Sequence, residues 1–369
     1  MKKKRILALF LAAVSCLSLA VSASAAGTTT RKATDFKDYD RTAWYAEAVS
    51  AAVDNGLLYG KSSSIIDPNG DMTRAEMAAI INRSFGCYKA ADISQYKDVS
   101  KSKWYYKDVA LAAQMGTYNG RSASSMAPDA PISRQEAMTV VARALELDYD
   151  SYSKTDLSAF SDRSEISNWA LPYVRAMVGA DYIHGRGKIL APRDNITRAE
   201  FAQIFANIIS SYITVKGTYD KDIKGSVLIR TDEVTLKDMT VDGDLIIGCG
   251  AADGKITLDN VTVKGRLLVW GGGAKAVYCN AGTNMPAVVV ARVDDAVKVI
   301  YDRDSTLAVI DTIKVRITER AKQHKERKSF FTTFPDYAKP RSSSTRLSRT
   351  IRLLLLLLLI YMLWSEKPA

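Results

Sequence analysis

What this chain lacks narrows its function before any motif is read. Only four of its 369 residues are cysteine and only two are histidine. Cys16 sits in the leader, so Cys87, Cys249 and Cys279 remain. Their spacing fits no zinc site, and an odd number cannot close a disulfide framework. They read as small core residues, and neither a metal nor a cofactor is expected. A basic body is missing too. The net charge of +11 and a pI near 9.3 would suit a nucleic-acid binder, but the charge sits at the two ends. Lys2, Lys3, Lys4 and Arg5 supply four positive charges, residues 312–369 hold 13 Lys and Arg against 4 Asp and Glu, and residues 6–311 are left at −2. Binding a duplex needs a basic face on the folded part, and none is visible.

The apolar run from Ile6 to Leu19 is too short and wrongly flanked for a spanning helix. With Met1-Lys2-Lys3-Lys4-Arg5 before it and Ala23-Ser24-Ala25 after it, residues 1–26 read as a secretory signal. Cys16 raises a lipoprotein reading, but Ala13-Val14-Ser15 lacks the leucine that such sites favour.

What is present is repetition. Trp44, Trp104 and Trp169 stand 60 and 65 residues apart. Six residues before the first two lie Asp38 and Asp98; Asp162 lies seven before the third. Sixteen residues after each tryptophan comes a glycine: Gly60, Gly120 and Gly185. Pro68, Pro128 and Pro192 follow, and six residues beyond each proline stands Arg74, Arg134 or Arg198. Each copy reads as helix, loop, helix. Tyr45, Val49, Ala52 and Val53, with their counterparts in the other copies, form one face of a 3.6-residue period. The glycines and the proline loop stop that helix. A capping box opens the next one: Thr73-Arg74-Ala75-Glu76, Ser133-Arg134-Gln135-Glu136 and Thr197-Arg198-Ala199-Glu200. A helix pair of this length has too small a core to stand alone, so the three copies are expected to share one.

The order Phe-x-Asp, Trp, Gly, Pro and finally Thr-Arg-Ala-Glu resembles the S-layer homology module, found in triplicate in bacterial surface proteins. The likeness covers residues 35–90, 95–150 and 158–212. It departs mildly at Gln135, and more in the third copy, where Asp181 replaces the small residue of Gly56 and Gly116; that copy ranks last as a binding site. The resemblance implies an all-α pseudo-threefold bundle of three helix-loop-helix repeats. It implies, too, a secondary cell-wall polysaccharide as ligand, often one bearing ketal-linked pyruvate, and a place on the bacterial cell wall.

An arginine at the first helical position opposes the macrodipole, at a cost of roughly 0.3–1 kcal/mol, and three such residues need a reason. Helix-start N–H groups form an anion site, and a guanidinium fits a carboxylate bidentately. Pairing with Asp38, Asp98 or Asp162 of a neighbouring module is the other reading. The residues alone leave both open; the resemblance favours ligand contact by Arg74, Arg134 and Arg198. A tryptophan opening an amphipathic helix is expected in the core, with stacking on a sugar face as the alternative for Trp44 and Trp104. Asp38 and Asp98 read more as caps than as ligands, and Gly60 and Gly120 as turn residues or points of close approach. All nine residues form the candidate polysaccharide-binding set.

From Lys216 to Asp311 the period changes. Val234–Ile247 realigns with Ile256–Val269 at an offset of 22 residues, with strand-like alternation and with Gly243 and Gly265 as punctuation. A short parallel β-solenoid is expected, with an antiparallel sandwich as the alternative. Asp242, Asp244, Asp253 and Asp259 lie mostly in turns, where aspartate is common. No histidine falls in this stretch, so the region is expected not to be an enzyme. Residues 312–369 are basic and end in the leucine run Leu353–Leu359. The apolar stretch around that run is short for a spanning helix and no Leu-Pro-x-Thr-Gly-like sorting motif precedes it; the tail reads as a disordered composition break from a shifted frame or a truncated solenoid, with membrane contact as the lesser alternative.

Together these readings describe a secreted protein held non-covalently on the cell wall, whose partner is a wall polysaccharide or peptidoglycan and whose β-region is open to self-assembly. A wall-anchored carbohydrate-active enzyme and an adhesin or assembly subunit are the alternatives.

Overall fold

The computed structural model describes residues 31–271, 277–292, 297–302, 305–307, 310–312, 315–320 and 327–332. Residues 1–26, read from the sequence as a secretory signal, and the run Leu353–Leu359 lie outside the described residues. Among the described residues no helix is long and apolar enough to cross a membrane.

Each module supplies two helices: α1 (Ala46–Asp54) and α2 (Arg74–Phe85), α3 (Tyr106–Gln114) and α4 (Arg134–Ala144), α5 (Leu171–Gly179) and α6 (Arg198–Ile208). The three capping boxes form as the sequence requires: Thr73, Ser133 and Thr197 accept from Glu76, Glu136 and Glu200, whose carboxylates reach back to the cap N–H. Helices pair between modules and not within them. α2 packs on α3, α4 on α5, and α6 closes the ring on α1. At the axis three backbone hydrogen bonds of 3.0 Å run head to tail, Met72 N–H to Ile196 O, Ile196 N–H to Ile132 O and Ile132 N–H to Met72 O. The side chains of these three are fully buried, and one apolar core runs through all three modules. No module can close that core alone.

The β-region follows without a linker. It comprises β1 (Ile209–Ile213), β2 (Gly217–Tyr219), β3 (Ser226–Ile229), β4 (Val234–Val241), β5 (Leu245–Ile247), β6 (Ile256–Val263) and β7 (Arg266–Val269). Then come β8 (Val277–Cys279), β9 (Asn284–Met285), β10 (Ala287–Val290), β11 (Val297–Asp302), β12 (Thr306–Leu307), β13 (Ile310–Thr312), β14 (Val315–Arg320) and β15 (Arg327–Thr332). One sheet runs β1-β3-β5-β7-β10-β13, and the other carries the alternate strands. Every pairing is parallel except β14 with β15. The 22-residue offset is the rung: Val234 faces Ile256 and Leu245 faces Leu267. This is a parallel solenoid of about four turns, and parallel pairing rules out the sandwich alternative. At one corner a Cβ on Gly243 or Gly265 would lie 2.6 Å from the backbone of the preceding rung, which is why glycine punctuates the repeat.

Two boundaries differ from the sequence reading. β1 begins at Ile209, inside the stretch assigned to the third module, because α6 passes directly into a strand. Residues 315–320 and 327–332, assigned to a disordered tail, are strands: β14 continues the ladder of β11 from Val297 opposite Val315. The sequence there, Val315-Arg316-Ile317-Thr318, alternates apolar with polar residues as a strand does.

The solenoid docks on the bundle. Val227, Ile229, Leu245, Ile247, Leu267 and Val269 point into its own core, while Leu228, Ile246 and Leu268 between them join the helical core. A sheet covered on both faces needs continuous apolar runs, and Leu245-Ile246-Ile247 and Leu267-Leu268-Val269 are such runs. Polar contacts follow the helix ends. Arg230 donates to Arg83 O and Asn55 O, both at 2.9 Å. Arg266 donates to Glu146 O at 2.9 Å and Leu145 O at 3.1 Å, and Trp270 Nε1 to Ala144 O at 2.8 Å. Cations thus meet the carbonyl ends of α1, α2 and α4, where the macrodipole favours them.

Candidate polysaccharide-binding grooves

The three arginines do not line an open site. Arg74, Arg134 and Arg198 are 4%, 5% and 3% exposed. Each reaches across a module boundary to the capping glutamate of the next module. Arg74 Nη1 lies 3.0 Å from Glu136 Oε1, Arg134 Nη1 2.9 Å from Glu200 Oε1, and Arg198 Nη1 3.7 Å from Glu76 Oε1. Their Nε atoms donate to Met126 O, Leu190 O and Ile66 O. The helix starts are occupied as well. Arg74 N–H goes to Ala130 O and Ala75 N–H to Pro128 O, and the same two bonds recur at Arg134 and Gln135 and at Arg198 and Ala199. The anion site inferred at these helix starts is therefore filled by backbone carbonyls of the next module.

The alternative pairing with aspartates is not what forms either. Asp38 accepts from Ile66 N–H and Asp67 N–H of its own module, Asp98 from Met126 and Ala127, and Asp162 from Leu190 and Ala191. The second donor in each pair, Asp67, Ala127 or Ala191, has φ of 56°, 49° or 49°, a conformation that costs free energy in a non-glycine residue. The carboxylate holds it there, just before the proline.

A sixth landmark escaped the sequence reading: a cation directly after each glycine. Lys61 pairs with Glu76; Arg121 lies 3.3 Å from Glu136; Arg186 binds Glu200 through Nε at 2.6 Å and Nη2 at 3.0 Å. Each capping glutamate thus sits between two cations. Burial would raise its pKa, but the Thr or Ser cap and the two cations outweigh burial and hold all three carboxyls below the ordinary range. A depressed folded-state pKa gives stability that is present above the unfolded value near 4.3 and lost as pH falls through the folded value. The melting temperature is therefore expected to hold above about pH 5 and to fall below it, in a scan of the full chain, with Glu136→Gln showing a shallower acid limb.

Gly60 and Gly120 serve close approach, but to protein. A Cβ on Gly120 would lie 2.7 Å from the Tyr96 ring and 2.6 Å from Ser122 O; on Gly60 it would lie 2.4 Å from the Phe36 ring. Gly120→Ala is expected to cost about 1–3 kcal/mol by overpacking, read as a lower thermal midpoint.

The tryptophans overturn the core expectation. Trp44, Trp104 and Trp169 are 63%, 59% and 52% exposed. The next residue takes the buried place instead: Tyr45, Tyr105 and Ala170 are in the core. Trp44 and Trp104 lie edge-on to those tyrosines, with ring centroids 5.5 and 5.4 Å apart.

Between the second and third modules lies a groove of about 430 Å³, lined by Arg121, Pro131, Ser133, Gln135, Glu136, Ser167, Trp169, Arg193 and Asn195. Gln135, the departure from Thr-Arg-Ala-Glu, clips its two walls: Oε1 accepts from Ser167 N–H at 2.9 Å and Nε2 donates to Ser167 Oγ at 3.2 Å. Arg121 and Arg193 are exposed beside Trp169. The residue after the landmark proline is Arg193 here but Asn69 and Asp129 in the other copies. The groove thus uses the tryptophan of the copy ranked last. Asp181 does not disturb that copy's backbone: its φ of 62° matches 67° at Gly56 and 74° at Gly116.

The S-layer homology domain model matches residues 35–78, 95–138 and 159–202, one match in each helix-loop-helix unit. The chain carries three tandem S-layer homology domains. Among similar proteins, the surface-layer 125 kDa protein of Lysinibacillus sphaericus is 33% identical over 213 residues, 56% of this chain and 17% of its own length. The cellulosome-anchoring protein of Acetivibrio thermocellus is 28% identical over 150 residues, covering 39% and 33%. The amylopullulanase of Thermoanaerobacterium thermosulfurigenes is 27% identical over 200 residues, covering 50% and 11%. The chain spans a third or less of the length of these relatives. In the S-layer homology domains of this chain, the repeated arginine and glutamate close the bundle, and the three tryptophans are exposed, Trp169 in the groove between the second and third domains.

Proposed function

We propose that this protein is secreted and anchors itself non-covalently to the bacterial cell wall, through its three S-layer homology domains, by binding an anionic secondary polysaccharide in the groove between the second and third domains. The observation that carries this reading is the coincidence of an exposed Trp169 with Arg121 and Arg193 in a groove clipped open by Gln135. An indole face suits the apolar face of a sugar ring, and a guanidinium suits a carboxylate. A ketal-linked pyruvyl group supplies both a ring-fused apolar edge and one carboxylate. The names of relatives, a surface-layer protein and a cellulosome-anchoring protein, accord with a place on the cell surface.

We further read the β-region as non-catalytic. A glycosidase needs two carboxylates across a cleft, but Asp242 pairs with Lys264 at 2.7 Å, Asp244 with Arg266 at 2.7 Å and Asp253 with Arg292 at 2.8 Å. Asp259 accepts from Asn280. The test of anchoring is co-sedimentation of the full chain with purified sacculi before and after removal of the secondary polysaccharide. Retention that disappears on stripping supports the reading; retention that survives stripping points to peptidoglycan and overturns the polysaccharide assignment.

A further inference from the structure

Two of the three cysteines found among the described residues meet where the helical bundle and the solenoid join. Cys87 and Cys249 are 162 positions apart, yet their Sγ atoms lie 3.5 Å from each other. Both are partly buried, whereas Cys279 is fully buried. The approach is built by glycines. A Cβ on Gly86, the residue before Cys87, would lie 2.8 Å from Gly250 Cα, and one on Gly248 would lie 2.7 Å from Phe85 O. Gly86 also holds φ of 68°, the left-handed end of α2 that turns Cys87 toward the solenoid. Two glycine-flanked turns pressed backbone to backbone thus present one thiol each. The pair opens onto a cavity of about 40 Å³ lined by Lys89, Gln114, Met115, Trp270 and Arg292.

We propose that Cys87 and Cys249 form a reversible disulfide that locks the solenoid onto the S-layer homology bundle. The Sγ atoms need close by only about 1.5 Å to reach a bond of about 2.0 Å. The oxidant is a small-molecule disulfide. One thiol loses its proton, and its sulfur attacks the reagent, releasing one thiolate and leaving a mixed disulfide. The second cysteine, deprotonated in turn, displaces the remaining half as a thiolate. Both cysteine sulfurs are oxidised, the reagent disulfide is reduced to two thiols, and the two protons pass to those leaving groups. Only the oxidising setting rests on the surface location proposed above; the chemistry does not depend on wall binding. The hydrogen bond to Cys249, with burial, pushes the Cys87 thiol up, so attack by Cys87 quickens as pH rises.

The test uses the full chain carrying Cys16→Ser, treated with oxidised glutathione at pH 8.5 without denaturant and compared with a reduced sample. The expected result is loss of two thiols per chain, a Cys87–Cys249 linked peptide in a non-reducing digest, an unmodified Cys279, and a thermal midpoint raised above that of the reduced form. Cys249→Ser and Cys87→Ala should each abolish that rise, and dithiothreitol should reverse it in the parent. A stable glutathione adduct on Cys87 or Cys249 with no linked peptide would overturn the proposal, as would two thiols that stay unreactive in the folded chain. Both outcomes are read from thiol chemistry, so failure of wall binding leaves this inference standing or falling by itself.

Discussion

Arg134→Ala is expected to destabilise the whole bundle by about 2–3 kcal/mol, because it leaves the Leu190 carbonyl without its side-chain donor and strips from the Glu200 carboxylate one of its two cations, Arg186 being the other. The thermal midpoint should fall on the order of 10 °C. Arg134 donates to Leu190 O at 2.8 Å and pairs with Glu200 at 2.9 Å, while its own N–H donates to Asp194 O at 2.8 Å. All three partners belong to the third domain. The loss should therefore appear as one cooperative transition of the whole bundle at lower temperature, since no module closes its core alone. Arg134→Lys should fall between the two, because a single ammonium cannot serve a carbonyl and a carboxylate from one fork. Arg74→Ala and Arg198→Ala should behave alike, by the threefold relation of their contacts. Circular dichroism melts of the full chain measure this. A variant that melts at the parent temperature yet leaves the wall would return these arginines to the role of direct ligands.

The second large effect separates binding from folding. Arg193→Ala and Trp169→Ala are each expected to weaken retention on sacculi roughly 10-fold or more, from the loss of one charge-assisted hydrogen-bond pair or one stacking face. Neither residue is buried, so the thermal midpoint should stay within about 1 °C of the parent. Trp104→Ala, in the copy that has Asp129 at the position of Arg193, should change retention far less. Equal losses at Trp104 and Trp169 would mean that the cations of the described groove do not set the preference for Trp169.

Much of the bundle was legible because its signals are local. Capping boxes, the 3.6-residue face and the glycine and proline stops fix six helices within a few residues, and the constant offset of 22 residues fixes the solenoid register. The site was legible only as a list of repeated positions. Repetition marked Arg74, Arg134 and Arg198, but repetition is equally what a cyclic interface produces, and the closing partner lies in another module 62 positions away in the case of Glu136. The exposed tryptophans misled for a similar reason. Helical periodicity gives a face to within one residue, and Tyr45 and Tyr105, one position on, took the core. The groove itself rests on differences between copies: Gln135 for alanine, Arg193 for asparagine or aspartate. These read as drift until the fold brings them into one groove. The docking of solenoid on bundle did leave a trace in the sequence, in the unbroken apolar triplets at Leu245 and Leu267, where an exposed sheet would have alternated.

The most direct measurement is a calorimetric titration of the full chain with purified secondary polysaccharide, native and with its carboxylate substituents chemically removed. Binding to the native polymer that is lost on removal of the carboxylates, and weakened roughly 10-fold in Arg193→Ala at unchanged thermal stability, is the predicted result. Equal affinity for the two polymers would contradict an anionic ligand held by this groove.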